Sequence, residues 1–193
     1  MLRMLLKIYW KLAGWKIVGN LPRQHKKMIL VVAPHTSWKD ILVGLATRLE
    51  LKIDHAKFLG KKELFDGPFG NFFRGLGGIP VDRFGRQDHN RQGIVEQAVR
   101  LFNGNENFIL GISPEGTRRR VEKLKTGFYQ IAKNANIPMV LVGFDYKNKQ
   151  VVLGEPIFVS DNEEADFKKI LAFFSGIQGA NPEDGLGHLS PGS

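Results

Sequence analysis

The stretch Met28-Ile-Leu-Val-Val-Ala33-Pro34-His35-Thr36-Ser37-Trp38-Lys39-Asp40 decides the fold. Residues 28–33 form a short apolar run rich in β-branched side chains, and Pro34 stops it, so a buried strand is predicted. Thr36 and Ser37 are residue types that favour helix N-caps, and Ile41, Leu42, Leu45, Ala46 and Leu49 then recur at helical spacing. The reading is strand, turn, helix, with His35 in the turn and Asp40 on the first turn or so of the helix. An Asp held against one ring nitrogen of a His fixes the tautomer and leaves the other nitrogen to take a proton. A surface His and an unrelated helix Asp give the same spacing, and the pair alone does not choose between the two.

Working outward, apolar runs mark further strands at 54–59, 77–81, 107–112, 138–144 and 150–153. Helical patterns lie between them. One covers 61–74 and breaks near Gly67-Pro68. One follows the cap candidate Asp88, carries Ile94, Val95, Ala98, Leu101 and Phe102 on one face, and ends at Gly104. Others are marked by Phe128, Ile131, Ala132 and Ala135, and by Phe167, Ile170, Leu171 and Phe174. Strands alternating with helices predict a single α/β domain, a mixed and largely buried sheet flanked by helices. Its expected limits are 19–176, with an amphipathic helix over 1–18 and a loose, Gly/Pro/Asp-rich tail over 177–193.

The chain has 193 residues and no cysteine. Disulfides, thiolate metal sites and a Cys nucleophile are excluded, and a reducing compartment is compatible. The N-terminus mixes charge with apolar residues and lacks a clean apolar core, so no secretory signal is expected. No run approaches the ~20 apolar residues that span a bilayer. The net charge of +9 is uneven. Residues 1–39 carry eight basic side chains and no acid, whereas 160–193 carry six acids against Lys168 and Lys169. A basic amino end fits nucleic acid, an anionic membrane or an anionic substrate.

At 100° per residue, Arg3, Lys7 and Lys11 fall on one narrow stripe, and Leu2, Leu5, Leu6, Ile8, Tyr9, Leu12 and Trp15 cover most of the rest. A short helix with a thin cationic stripe, a wide apolar face and Tyr9, Trp10 and Trp15 fits an interfacial anchor. It fits equally a helix packed on the protein's own core with the basic stripe in water. Nucleic acid fits less well, because so much apolar surface needs cover.

Two further turns carry charge after apolar strands: Gly78-Ile79-Pro80-Val81-Asp82-Arg83 and Ser113-Pro114-Glu115-Gly116-Thr117-Arg118. Open α/β sheets place ligands at such strand ends, and Arg holds phosphate or carboxylate through paired donors. Gly116 would let the backbone approach a ligand closely. A solvated turn with a local Arg–carboxylate pair is the alternative for each. Arg118-Arg119-Arg120 reads as a phosphate patch or a solvated charge run. His25, His55, His89 and His188 have no partner at metal-ligand spacing, so no metal site is expected.

The ordered set resembles the four motifs of the glycerolipid acyltransferase family, which includes the 1-acyl-glycerol-3-phosphate acyltransferases. The set is His35-x4-Asp40, Gly78-Ile-Pro-Val-Asp82-Arg83, Pro114-Glu115-Gly-Thr-Arg118, and Ile137-Pro138 before an apolar strand. The similarity runs from about Met28 to Pro156, with the linking stretches that begin at Lys61 and Lys125. It implies a glycerol-3-phosphate acyltransferase-like fold and transfer of a fatty acyl group to a lysolipid hydroxyl. The donor would be acyl-CoA or acyl-carrier protein as co-substrate, with no other cofactor. His35 would be the general base and Asp40 its orienter. Arg83, Arg118 and Lys61 would bind acceptor phosphate, Glu115, Gly116 and Thr117 would shape the acceptor site, and Pro138 would be structural. An enzyme of this kind is expected on the cytoplasmic face of the cell membrane, peripheral or monotopic, meeting an anionic surface and no nucleic acid. Arg119 stands where the third motif often has Ser. The rival readings are an amino-acid-derived acceptor such as lyso-ornithine lipid, a non-catalytic membrane-binding α/β protein, and a basic nucleic-acid-binding domain.

Overall fold

The computed structural model describes residues 1–81 and 93–189. Its centre is the predicted buried strand, β2 (Lys27–Ala33), with β6 (Met139–Asp145) on one side and β5 (Phe108–Ile112) on the other. Outside β5 lie β3 (Lys57–Lys61) and then the edge strand β4 (Gly78–Val81). Outside β6 lie β7 (Gln150–Leu153) and β1 (Lys16–Val18). The order is β1-β7-β6-β2-β5-β3-β4. Five strands run parallel, β7 turns back antiparallel on β6, and β1 follows β7, so the sheet is mixed as predicted.

Because strand side chains alternate, β2 feeds two cores. Ile29, Val31 and Ala33 point into one, closed by α5 (Ile94–Gly104), α6 (Gly127–Ala135) and α7 (Glu163–Ser175). Met28 and Leu30 point into the other, closed by α1 (Leu2–Leu12) and α2 (Lys39–Glu50). The short helices α3 (Glu63–Asp66) and α4 (Gly70–Gly75) belong to this second face. Leu59 and Ile79 turn toward the first core, so the intervening Gly60 and Gly78 face away from it, and both lie under the Phe65 ring. A Cβ at either glycine would stand 2.7 Å from that ring, which leaves room for hydrogen alone. Arg48 of α2 donates to the Leu76 carbonyl at 2.5 Å and ties α4 beside α2.

Two expectations are corrected, and a reading left open takes one of its two forms. The amino-terminal helix stops at Leu12, and the chain from Lys16 enters the sheet as β1, a three-residue strand too short to show a period. Trp10 and Trp15, for which interface and core were both open, are 8% and 4% exposed and stack on each other inside the second core. The tail is not loose as far as Leu189: Leu186 is 1% exposed in the first core, and Asn181 bonds back to Thr36. Glycine and proline there serve close packing rather than freedom, since a Cβ on Gly179 would stand 2.8 Å from Thr36 Oγ1. The cap candidate Asp88, with Asp82, Arg83 and His89, lies outside the described residues. Among the described residues no helix is long and apolar enough to cross a membrane.

Candidate active site

Strands β2, β5, β3 and β4 lie side by side and parallel, so they end at one edge of the sheet. The chain leaves them there at Ala33, Ile112, Lys61 and Val81. The His35 turn, the Ser113–Arg118 loop and Lys61 therefore share the carboxyl edge, where parallel sheets collect ligands.

Pro34 ends β2, and the next residues fold tightly because a carboxylate from the helix reaches back to them. Asp40, 3% exposed, accepts hydrogen bonds on Oδ2 from the backbone N–H groups of Thr36 and Ser37, both at 2.9 Å. The start of a helix leaves such N–H groups free, and a negative charge there is favoured. The cap thus comes from inside the helix. Neither Thr36 nor Ser37 is the N-cap expected from sequence: that position is Trp38, whose side chain makes no capping bond.

The same Oδ2 lies 3.0 Å from His35 Nδ1. A carboxylate that already takes two backbone N–H bonds on this oxygen is an acceptor, so Nδ1 carries the proton and Nε2 presents its lone pair. The His35 side chain is 29% exposed and within reach of a substrate. Asp40 Oδ1 accepts from the Tyr146 hydroxyl at 2.7 Å. Burial, then the bond to Asp40, pushes the Tyr146 phenol well above its ordinary range, so it stays a donor. Trp15 stands edge-on to the Tyr146 ring at 5.0 Å.

Glu115 holds the other side of the turn. Its Oε1 accepts from the His35 backbone N–H at 2.7 Å and its Oε2 from the Ser113 hydroxyl at 2.6 Å. Burial pushes its carboxyl upward, while the bonds from Ser113 and from the His35 amide pull it back. With both oxygens engaged and 2% exposure, Glu115 braces the His35 turn. Thr36 is braced in turn by Asn181, whose N–H meets Thr36 Oγ1 at 3.0 Å and whose Nδ2 meets the Thr36 carbonyl at 2.8 Å.

The remaining sequence candidates sit nearby with less definition. Gly116 adopts φ +65, the left-handed region that favours glycine. Thr117 and Arg118 are exposed, as are Arg119 and Arg120. Lys61 is the last residue of β3, in register with Val81. Arg83 lies outside the described residues. The structure thus joins His35, Asp40 and Glu115 through hydrogen bonds, and it leaves Arg118 on open surface. Sequence reasoning missed Tyr146 and Asn181. Tyr146 offered one signal, a single phenol ending the apolar strand 138–144, but only the pairing of β6 with β2 makes it a neighbour of Asp40.

A hydroxyl brought to His35 Nε2 would lose its proton to the ring, and Asp40 would stabilise the imidazolium that results. Among the described residues no group of three or more His, Asp or Glu is arranged to hold a metal ion. Comparison with curated proteins and with solved structures found no match. A family model described as Acyltransferase matches residues 15–145, which take in the His35 turn, Lys61 and the Glu115–Arg118 loop. The match covers more than half of the chain, and the chain belongs to the glycerolipid acyltransferase family, whose members move acyl groups onto lipids.

Proposed function

We propose that this chain transfers a fatty acyl group from a thioester to the free hydroxyl of lysophosphatidate or a similar lysolipid, in phospholipid biosynthesis. The donor would be acyl-CoA or acyl-carrier protein. His35 Nε2 takes the hydroxyl proton as the oxygen attacks the thioester carbonyl. A C–O bond forms, the C–S bond breaks, and the proton held by His35 passes to the departing thiolate. A thioester is activated enough for direct attack, and the chain has no cysteine to form an acyl-enzyme. Arg118, with Lys61 and Arg83, would hold the acceptor phosphate by charge-assisted hydrogen bonds. The observation that carries this reading is that Glu115 of the third motif bonds the amide of His35 itself, at 2.7 Å. The acid–base pair and the basic loop are thereby one structure.

The acceptor is a lipid, so the working place is the cytoplasmic face of the cell membrane. Exposed Leu2, Met4, Leu5, Ile8 and Leu12 on α1 flank the cationic stripe of Arg3, Lys7 and Lys11 and favour an anionic interface. A groove of about 640 Å³ between α1 and the end of α2 adds Lys52 to these cations, beside Met4, Ile8 and Leu49 and the acid Asp54, which pairs with Arg3.

The test is the purified protein with a panel of lysolipids and both donor types, read by mass spectrometry of the products and by thiol release. Acylated lysophosphatidate is the expected product. Acylation of lyso-ornithine lipid alone would move the acceptor away from phosphate, and no acyl transfer to any lipid would leave a binding protein. His35→Ala should lose about 10²–10⁴ in rate with the fold intact, as for loss of a general base. Near-normal turnover by that variant would sink the assignment.

A further inference from the structure

The exposed apolar side chains are not spread over the molecule. Of thirteen large hydrophobic residues exposed among the described ones, all but Val18 and Phe158 lie on the layer α1–α4. None lies on α5, α6 or α7, which cover the opposite face of the sheet. Beyond α1 the set includes Trp38 and Ile41 at the start of α2, and Leu64, Phe69 and Phe72 along α3 and α4. Trp38 is 60% exposed and Phe69 68%. Three of the four exposed aromatic rings among the described residues lie on this layer, and exposed apolar side chains gathered in this way mark an interaction surface.

Charge follows the same division. Residues 1–81, which supply this layer, carry fourteen basic and five acidic side chains. The other 112 carry fourteen of each, so the whole net charge of +9 belongs to the first part. In sequence the cations adjoin exposed apolar residues, as in Leu2-Arg3-Met4, Trp38-Lys39 and Lys62-Glu63-Leu64, and Arg3 pairs with Asp54 at 2.6 Å.

We propose that the entire α1–α4 layer, and not α1 alone, is the docking face for an anionic phospholipid bilayer. Lysines interleaved with apolar tips suit a lipid interface, where ammonium groups meet phosphates while the tips enter the acyl region. A protein partner suits them less, because the cores of protein interfaces are depleted in Lys. The placement also gives the active site its access. Trp38 is three residues from His35, so a docked layer sets the catalytic turn at headgroup depth, where the hydroxyl of a lysolipid lies. This extends the proposed function by naming the surface that delivers the acceptor, and it rests on that reading for its purpose.

The test is binding of the full chain to sedimented vesicles, without acyl transfer. Vesicles of phosphatidylcholine with phosphatidylglycerol should bind the protein more tightly than phosphatidylcholine alone, and added salt should weaken the binding. Leu64→Gln with Phe69→Gln should lower the partition coefficient about ten-fold or more, from the apolar burial lost. Phe158→Gln, off this layer, should leave it unchanged. Brominated acyl chains should quench the exposed Trp38, and the quenching should vanish in Trp38→Phe, since Trp10 and Trp15 are buried. Quenching that persists in Trp38→Phe, or unaltered binding by the double variant, means that α1 alone inserts and overturns the proposal. Self-association with no vesicle binding overturns it in favour of a second copy of the chain. Loss of turnover on lysophosphatidate with binding as expected would instead overturn the enzymatic reading and leave the docking face standing.

Discussion

Tyr146→Phe isolates one hydrogen bond at the centre of the site. The substitution keeps the ring that packs edge-on against Trp15 and removes only the hydroxyl that meets Asp40 Oδ1 at 2.7 Å. Asp40 is 3% exposed, so water does not readily replace the lost donor. A hydrogen bond to a charged group contributes about 1.5–3 kcal/mol. For a domain of this size each kcal/mol moves the melting temperature by about 2–4 °C, so a fall of about 3–12 °C is expected. The carboxylate proposed to orient His35 is then held by fewer bonds, so kcat should fall while KM for the lysolipid stays near wild type. Thiol release measured over a range of lysolipid concentration, beside a thermal melt, reads both effects. A rate profile that superimposes on wild type would refute the role given to Tyr146, whatever the melt shows.

Two further outcomes follow from burial. Glu115 is pushed upward by burial, so the folded protein binds a proton there more tightly than the unfolded chain. Its contribution to stability is therefore present below the ordinary carboxylate range and is lost as pH rises through the raised folded value. Glu115→Gln keeps an acceptor for the His35 amide and should flatten that part of the stability curve, with turnover within several-fold of wild type. An unchanged slope in chemical denaturation across the acid range would refute the sign. Leu186→Ala opens a cavity at a position 1% exposed, and core Leu→Ala changes cost about 2–5 kcal/mol. A melting temperature within a degree of wild type would mean that the tail is not part of the core.

The sequence carried the strand–turn–helix around His35 because its periods are clean: six apolar residues, a proline, then helical spacing. The broken helix at Gly67-Pro68 and the strands beside it were legible for the same reason, and α3 and α4 stand on either side of that break. What local pattern does not hold is who faces whom. Trp10 and Trp15 look like an interfacial belt in one dimension, and only their place in the second core, among residues of β2, β6, β7 and α2, buries them. Glu115 read as a wall of the acceptor site, and its carboxylate is engaged by the His35 amide and the Ser113 hydroxyl, a contact that only the pairing of β5 with β2 brings about. The tail read as loose because glycine and proline mark both flexible and tightly packed chain.

The supports of the His35 turn come from far along the chain: Glu115 at a separation of 80 residues, Tyr146 at 106 from Asp40, and Asn181 at 145 from Thr36. Contacts of such range close large loops, so they form late in folding and carry no local nucleus of their own. The geometry of the His35 turn is therefore expected to form late in folding. The hydroxyl and carbonyl of Thr36, held by Asn181, should come free only through an opening that also undocks residues 178–181. Heat inactivation of this enzyme would then begin at its carboxyl-terminal segment, far in sequence from the histidine it supports.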